Sequence, residues 1–139
     1  MIHGFPASDT LLEDNAHIGH GAVLHGCVVR RGALIGMNSV VNDNAEVGEQ
    51  AVVAALAFVK AEARVPARTL VAGIPARVVR ELSDTELAWK VEGTDSYKEL
   101  ARRSLRTMKA TAPLTAPEPG RKHLDLPALK PLSDTKRGD

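Results

Sequence analysis

From Ile18 onward an aliphatic residue returns every six positions: Ile18, Leu24, Val29, Ile35, Val41, Val47, Val53, Val59, Val65 and Val71. Only the step from Leu24 to Val29 is one residue short. Four places after each aliphatic comes a small or β-branched residue: Ala22, Val28, Ala33, Ser39, Ala45, Ala51, Ala57, Ala63 and Thr69, with Pro75 closing the column. Gly19, Gly36 and Gly48 directly follow their aliphatic neighbours. A six-residue period fits neither the 3.6 of a helix nor the alternation of an ordinary strand. It predicts a parallel β-helix in which each hexapeptide supplies one short strand and one corner. The aliphatic side chain points inward and stacks on its counterpart in the next coil. Three hexapeptides make a triangular coil of about 18 residues, and coils stack at ~4.8 Å.

The rhythm has two edges. Upstream, residues 7–15 break it and read as a short loop. Downstream, Gly73 and Pro75 end the last coil and the chain turns back. Ser83 and Glu86 then fit a capping box, predicting a helix over 84–92 that Gly93 ends. Ser96 and Glu99 fit a second capping box, with Asp95 as a rival N-cap, and predict a second helix to about residue 108. Trp89 and Tyr97 are packing residues on these helices. Beyond residue 112 the prolines 113, 117, 119, 127 and 131 interrupt any periodicity. The expected architecture is therefore all-β, a parallel β-helix of hexapeptide repeats over 1–80. C-terminal α-helices over 81–111 and an extended or disordered tail over 112–139 follow.

Composition sharpens this. Aromatics make up only 3% of the residues, which suits a core of stacked identical layers. A net charge of +1 gives no electrostatic footprint for nucleic acid or an anionic membrane. Cys27 is the single cysteine, so a reducing, cytoplasmic setting is expected. No basic leader with an apolar run, and no membrane-length apolar stretch, stands at the N-terminus.

Candidate chemistry gathers in His17–Cys27, which holds His17, His20 and His25, three of the five histidines; His3 lies just upstream. Zinc catalysis needs three imidazoles at about 2.0–2.1 Å and one open position. His3 follows Ile2 as His25 follows Leu24, and the two are separated by one coil plus a short insertion. They should therefore stand on one edge of adjacent coils, one above the other. His20 faces elsewhere in its own chain and can complete the pair of a neighbouring chain, which three-fold symmetry would repeat in a trimer. His17 reads as structural, His123 as a solvent histidine, and Cys27 as a small corner residue.

The segments His3-Gly4 and Gly19-His20-Gly21-Ala22-Val23-Leu24-His25-Gly26-Cys27 resemble the γ-class carbonic anhydrases. The likeness is nearest to their bacterial relatives of phenylacetate degradation and carnitine metabolism. Ile35-Gly36-Met37-Asn38, Gly73-Ile74-Pro75-Ala76, Glu86-Leu87-Ala88-Trp89-Lys90 and Glu118-Pro119-Gly120-Arg121-Lys122 extend the resemblance over almost the whole chain. It implies a left-handed β-helix, a homotrimer, and zinc (with iron or cobalt as substitutes) held by His3 and His25 of one subunit and His20 of the next. The implied activity is reversible hydration of CO2 by zinc-bound hydroxide, with hydrolysis of a CoA thioester as a second chemistry. Relative to that family the chain reads as N-terminally truncated. The family's arginine, aspartate and glutamine segments near the metal have no counterpart here, so no catalytic side chain is assigned. Two other readings share the fold: a hexapeptide-repeat acyltransferase using one histidine as general base, and an inactive, metal-free assembly module.

Overall fold

The computed structural model describes residues 1–120. The remaining residues, with His123 and most of the expected tail, lie outside the described residues. Thirteen strands precede one helix. The first twelve wind into a parallel β-solenoid of about four turns, the left-handed hexapeptide-repeat fold that the resemblance implies.

The coils are regular. β1 (Ile2–His3), β2 (Leu11–Leu12) and β3 (His17–Ile18) form the first. β4 (Val23–His25), β5 (Val28–Val29) and β6 (Leu34–Ile35) form the second. β7 (Val40–Val41), β8 (Glu46–Val47) and β9 (Val52–Val53) form the third. β10 (Phe58–Val59), β11 (Arg64–Val65) and β12 (Thr69–Gly73) form the fourth. Stacking creates three sheets, ordered β1-β4-β7-β10, β2-β5-β8-β11 and β3-β6-β9-β12, the last extended by antiparallel β13 (Ala76–Glu81). In the first coil the structure differs from the loop expected over residues 7–15. Leu11 and Leu12 pair with Val28 and Val29, so this stretch completes a coil. Its extra residues make the small excursion closed by the Phe5–Ser8 bridge.

Why the pattern has period six is visible in the core. Leu24, Val29, Ile35, Val41, Val47, Val53 and Val59 are fully buried or nearly so, and Ala22, Ala33, Ala45, Ala51 and Ala57 fill the corners between them. The polar members of the corner column satisfy themselves locally. Ser39 Oγ donates to the Gly36 carbonyl at 2.7 Å, and Thr69 Oγ1 to the Pro66 carbonyl at 2.8 Å. The corners also need a left-handed residue. Asn38, Asn44, Gln50, Leu56, Glu62 and Arg68 recur at this place with φ of 54–62°. An L-residue pays ~1–2 kcal/mol there. Inter-coil bonds hold it, such as Leu56 N–H to the Met37 carbonyl at 2.9 Å.

The outward faces of the sheets differ. Residues alternate in and out along a strand. The first sheet presents Val23, Val40 and Phe58, all half-buried and apolar. The second presents Glu46 and Arg64, and Arg30 reaches Glu13 and Glu46, each at 2.6 Å. These bonds hold both carboxylates below their usual range.

One helix, α1 (Asp84–Thr107), stands where two are expected. Its start is the predicted capping box: Ser83 N–H donates to Glu86 Oε2 at 3.0 Å, and Glu86 N–H to Ser83 Oγ at 3.3 Å. Arg80 adds a bidentate pair to the buried Glu86 carboxylate, at 2.7 and 2.8 Å. Gly93 does not end the helix. A central glycine costs ~1 kcal/mol against alanine, and Thr94 Oγ1 returns a bond to the Lys90 carbonyl at 3.0 Å. The described residues divide into two compact units, one ending at Thr94 and one beginning at Asp95. In the second, Lys98 pairs with Asp95 at 2.7 Å and Glu99 with Arg102 and Arg106 at 3.6 and 3.4 Å. No helix among the described residues is long and apolar enough to cross a membrane.

Candidate metal centre

β1 and β4 pair in parallel with His3 opposite His25. Stacking one coil on the other brings the two imidazole rings to 5.0 Å between centroids, 17° from parallel. The edge placement read from the sequence is therefore the one observed. Thr10 Oγ1 donates to the His3 carbonyl at 2.6 Å, and Gly26 N–H bonds the same oxygen at 3.0 Å. These bonds fix the backbone of the outermost strand. Phe5 stacks on His25 at 5.4 Å and 21°. Sequence reasoning missed one further member: Asp43, whose carboxylate Oδ1 accepts a hydrogen bond from His25 Nδ1.

His20 is exposed, in the turn between β3 and β4. Its carbonyl accepts the Asn38 N–H at 2.9 Å, so its backbone is set by the next coil. The pair and His20 thus stand at opposite borders of the first sheet. His3 and His25 lie where the chain leaves that sheet, and His20 where it enters. Among the described residues of one chain, no three His, Cys, Asp or Glu side chains converge as a metal site. The donor chemistry suits a borderline metal. Two imidazoles are adjacent, and one is backed by a carboxylate in the manner of metal-binding histidines.

Two neighbouring groups are structural. Cys27 is fully buried, and burial raises its thiol above its ordinary value. His17 is half-buried, with Nδ1 3.1 Å from Thr94 Oγ1. Burial, then the positive charges of Lys90 and His20, lowers its imidazole below 6.5. Lys90 is only 4% exposed and donates to the Gly32 carbonyl.

The sign of the His17 effect follows. The folded protein resists protonation more than the unfolded chain does. This contribution is fully present above pH 6.5 and is lost as pH falls from there through the lowered folded value. The depressed carboxylates of Glu13 and Glu46 lose theirs only below 4.5. His17→Gln is thus expected to flatten the fall in urea midpoint between pH 7 and 5 for metal-free protein. An unchanged slope would contradict the assignment.

No family model matches the chain. Among curated proteins, the carnitine operon protein CaiE of Salmonella dublin is 48% identical over 136 residues, covering 98% of this chain and 66% of the relative. The chain is similar to CaiE over nearly its whole length. It spans just under two thirds of the length of the curated CaiE relatives it matches. Among solved structures, a Bacillus cereus protein provisionally assigned as an acetyltransferase aligns with TM-score 0.75 and 34% identity, covering 77% of this chain and 62% of that chain. A hexapeptide transferase family protein from Anaplasma phagocytophilum aligns with TM-score 0.69 and 29% identity, covering 73% and 60%. These likenesses agree with the repeat. The two structural neighbours are named as transferases.

Proposed function

We propose that this protein forms a γ-carbonic-anhydrase-like zinc site between subunits of a homotrimer, with His3 and His25 from one chain and His20 from the next. The observation that carries the reading is the placement of the two half-sites. They occupy opposite borders of one sheet, and the face between them is the apolar row Val23, Val40 and Phe58. If that face packs on its copies around a three-fold axis, each border meets the opposite border of a neighbour. Each chain then gives two ligands to one site and one to another.

When bound, such a metal supplies Lewis acidity and an activated water at neutral pH. The chain's own residues do the rest. Thr10 and Gly26 hold the His3 backbone, Asp43 orients His25, and the Phe5 ring covers a face of the imidazole. The substrates proposed are CO2 with bicarbonate, and secondarily the thioester carbonyl of an acyl-CoA. A second reading, acyl transfer with His25 as general base, is favoured by the His25–Asp43 pair together with the acetyltransferase assignment of the Bacillus cereus neighbour.

Zinc stoichiometry on size-fractionated protein separates the readings. The metal reading expects about one zinc per chain in a trimer fraction, as three-fold symmetry requires, and loss of zinc in His20→Ala. No zinc, or zinc retained by that variant, overturns it.

A further inference from the structure

Every ligating imidazole must offer a lone pair, and a neutral histidine has two ways to place its proton. What decides this for His25 is on the adjacent coil. Asp43 sits one place past the residue level with His25, since Val23 and Leu24 pair with Val40 and Val41. Its backbone is held from the far side, where Glu62 N–H donates to the Asp43 carbonyl at 2.8 Å. Its side chain is one-third exposed, at 34%, and Oδ1 meets His25 Nδ1. A carboxylate accepts and does not donate, so Nδ1 carries a proton, and in the neutral imidazole Nε2 then keeps the lone pair.

The aromatic contacts do not make this choice. His25 stacks on His3 at 17° and on Phe5 at 21°. A half-turn of the ring leaves it in the same plane and keeps both stacks. The same half-turn exchanges Nδ1 for a ring carbon and breaks the bond to Asp43. Stacking thus fixes the plane of the imidazole, and Asp43 fixes which edge faces the site. A free histidine side chain favours the other tautomer, with the proton on Nε2, the form that cannot ligate through that nitrogen.

We infer that Asp43 is a positioning residue that locks His25 as the Nδ1–H tautomer and presents Nε2 as the ligating nitrogen. The metal consequence rests on the site proposed above; the tautomer does not. Such carboxylate partners set metal affinity by roughly 10–100-fold. Asp43→Asn retains an acceptor oxygen and should keep the tautomer while losing the charge. Asp43→Ala retains neither.

The test is long-range proton–nitrogen correlation spectroscopy on metal-free full chain, with His25 assigned by the signal lost in His25→Gln. Wild type and Asp43→Asn are expected to show His25 protonated on Nδ1. Asp43→Ala is expected to shift it toward the Nε2–H form. Zinc affinity, read by competition with a chelator, should fall roughly 10–100-fold in Asp43→Ala and less in Asp43→Asn. A wild-type His25 protonated on Nε2 overturns the inference and needs no variant. So does Asp43→Ala with the Nδ1–H form retained. A wild type that shows the Nδ1–H form but takes up no zinc refutes the metal site and leaves the Asp43 assignment standing.

Discussion

Gly36→Ala is expected to destabilise the solenoid by about 3 kcal/mol, lowering the thermal midpoint by ~10 °C. Gly36 directly follows the buried Ile35 and stands against the next coil. A Cβ built there lies 2.4 Å from the Ala55 nitrogen and 2.6 Å from both the Ala54 carbonyl carbon and the Val53 oxygen. All three are backbone atoms, so no side chain can swing aside. The only relief is to open the gap between coils. That gap is set by the bonds from Leu34 N–H to Ala51 and Gly36 N–H to Val53, both 2.8 Å, and Leu56 N–H to Met37 at 2.9 Å. Gly93→Ala is the matching control. A Cβ at Gly93 meets nothing within 4 Å, and alanine there should add about 0.5–1 kcal/mol of helix stability. Urea or thermal midpoints of the two variants decide the point. A Gly36→Ala midpoint within a degree or two of wild type would show that the coils are not held at this spacing.

The glycine column, the aliphatic column and the corner alanines were all legible in the sequence because each reports the same fact, the close stacking of identical layers. The pairing of His3 with His25 was legible for the same reason, since register in a stacked repeat is arithmetic. What the pattern hid were features that depart from the column. Leu12 stands one period before Ile18, but the excursion at Phe5–Ser8 puts it ten residues after Ile2 instead of six, so this first-coil strand reads as a break in the repeat. Leu56, Glu62 and Arg68 hold left-handed corners although their side chains announce no such preference, unlike Asn15, Gly21, Gly32, Asn38 and Asn44 at the same place in earlier coils. The continuous helix was hidden because Gly93, Asp95 and Ser96 are local stop and start signals. The bond from Thr94 to Lys90 and the Lys98–Asp95 pair lie on either side of that junction within the intact helix.

Asp43 was the omission that matters for chemistry. It lies 18 residues beyond His25, one coil along, and a search for carboxylates at that interval from each histidine would have found it. The hexapeptide columns conceal it because its neighbour Asn42, not Asp43, is level with His25 in the strand register. The site therefore divides into two kinds of information. Which histidines stack is a property of the period. Which carboxylate turns one of them depends on a one-residue offset between coils, created by the short step from Leu24 to Val29.

The largest expected functional effect is a recovery. On the proposed arrangement, His20→Ala protein keeps the His3–His25 pair but gives its neighbour nothing, and His25→Ala protein does the reverse. Each alone should bind essentially no zinc. Consider trimers assembled from both. Around a closed ring, a site is intact only where a chain with the complete pair is followed by a chain with His20. A ring of two chain types has one such junction, whichever type is in the majority. Random assembly from equal amounts makes about three-quarters of trimers mixed. Equal co-expression or co-refolding should therefore restore about a quarter of the wild-type zinc, one site in three of each mixed trimer. A site built within one chain would recover none, since no chain in the mixture holds all three histidines. Zinc measured on the mixed, size-fractionated trimer therefore distinguishes a shared site from a private one. A mixture as empty as its two components would refute the shared site.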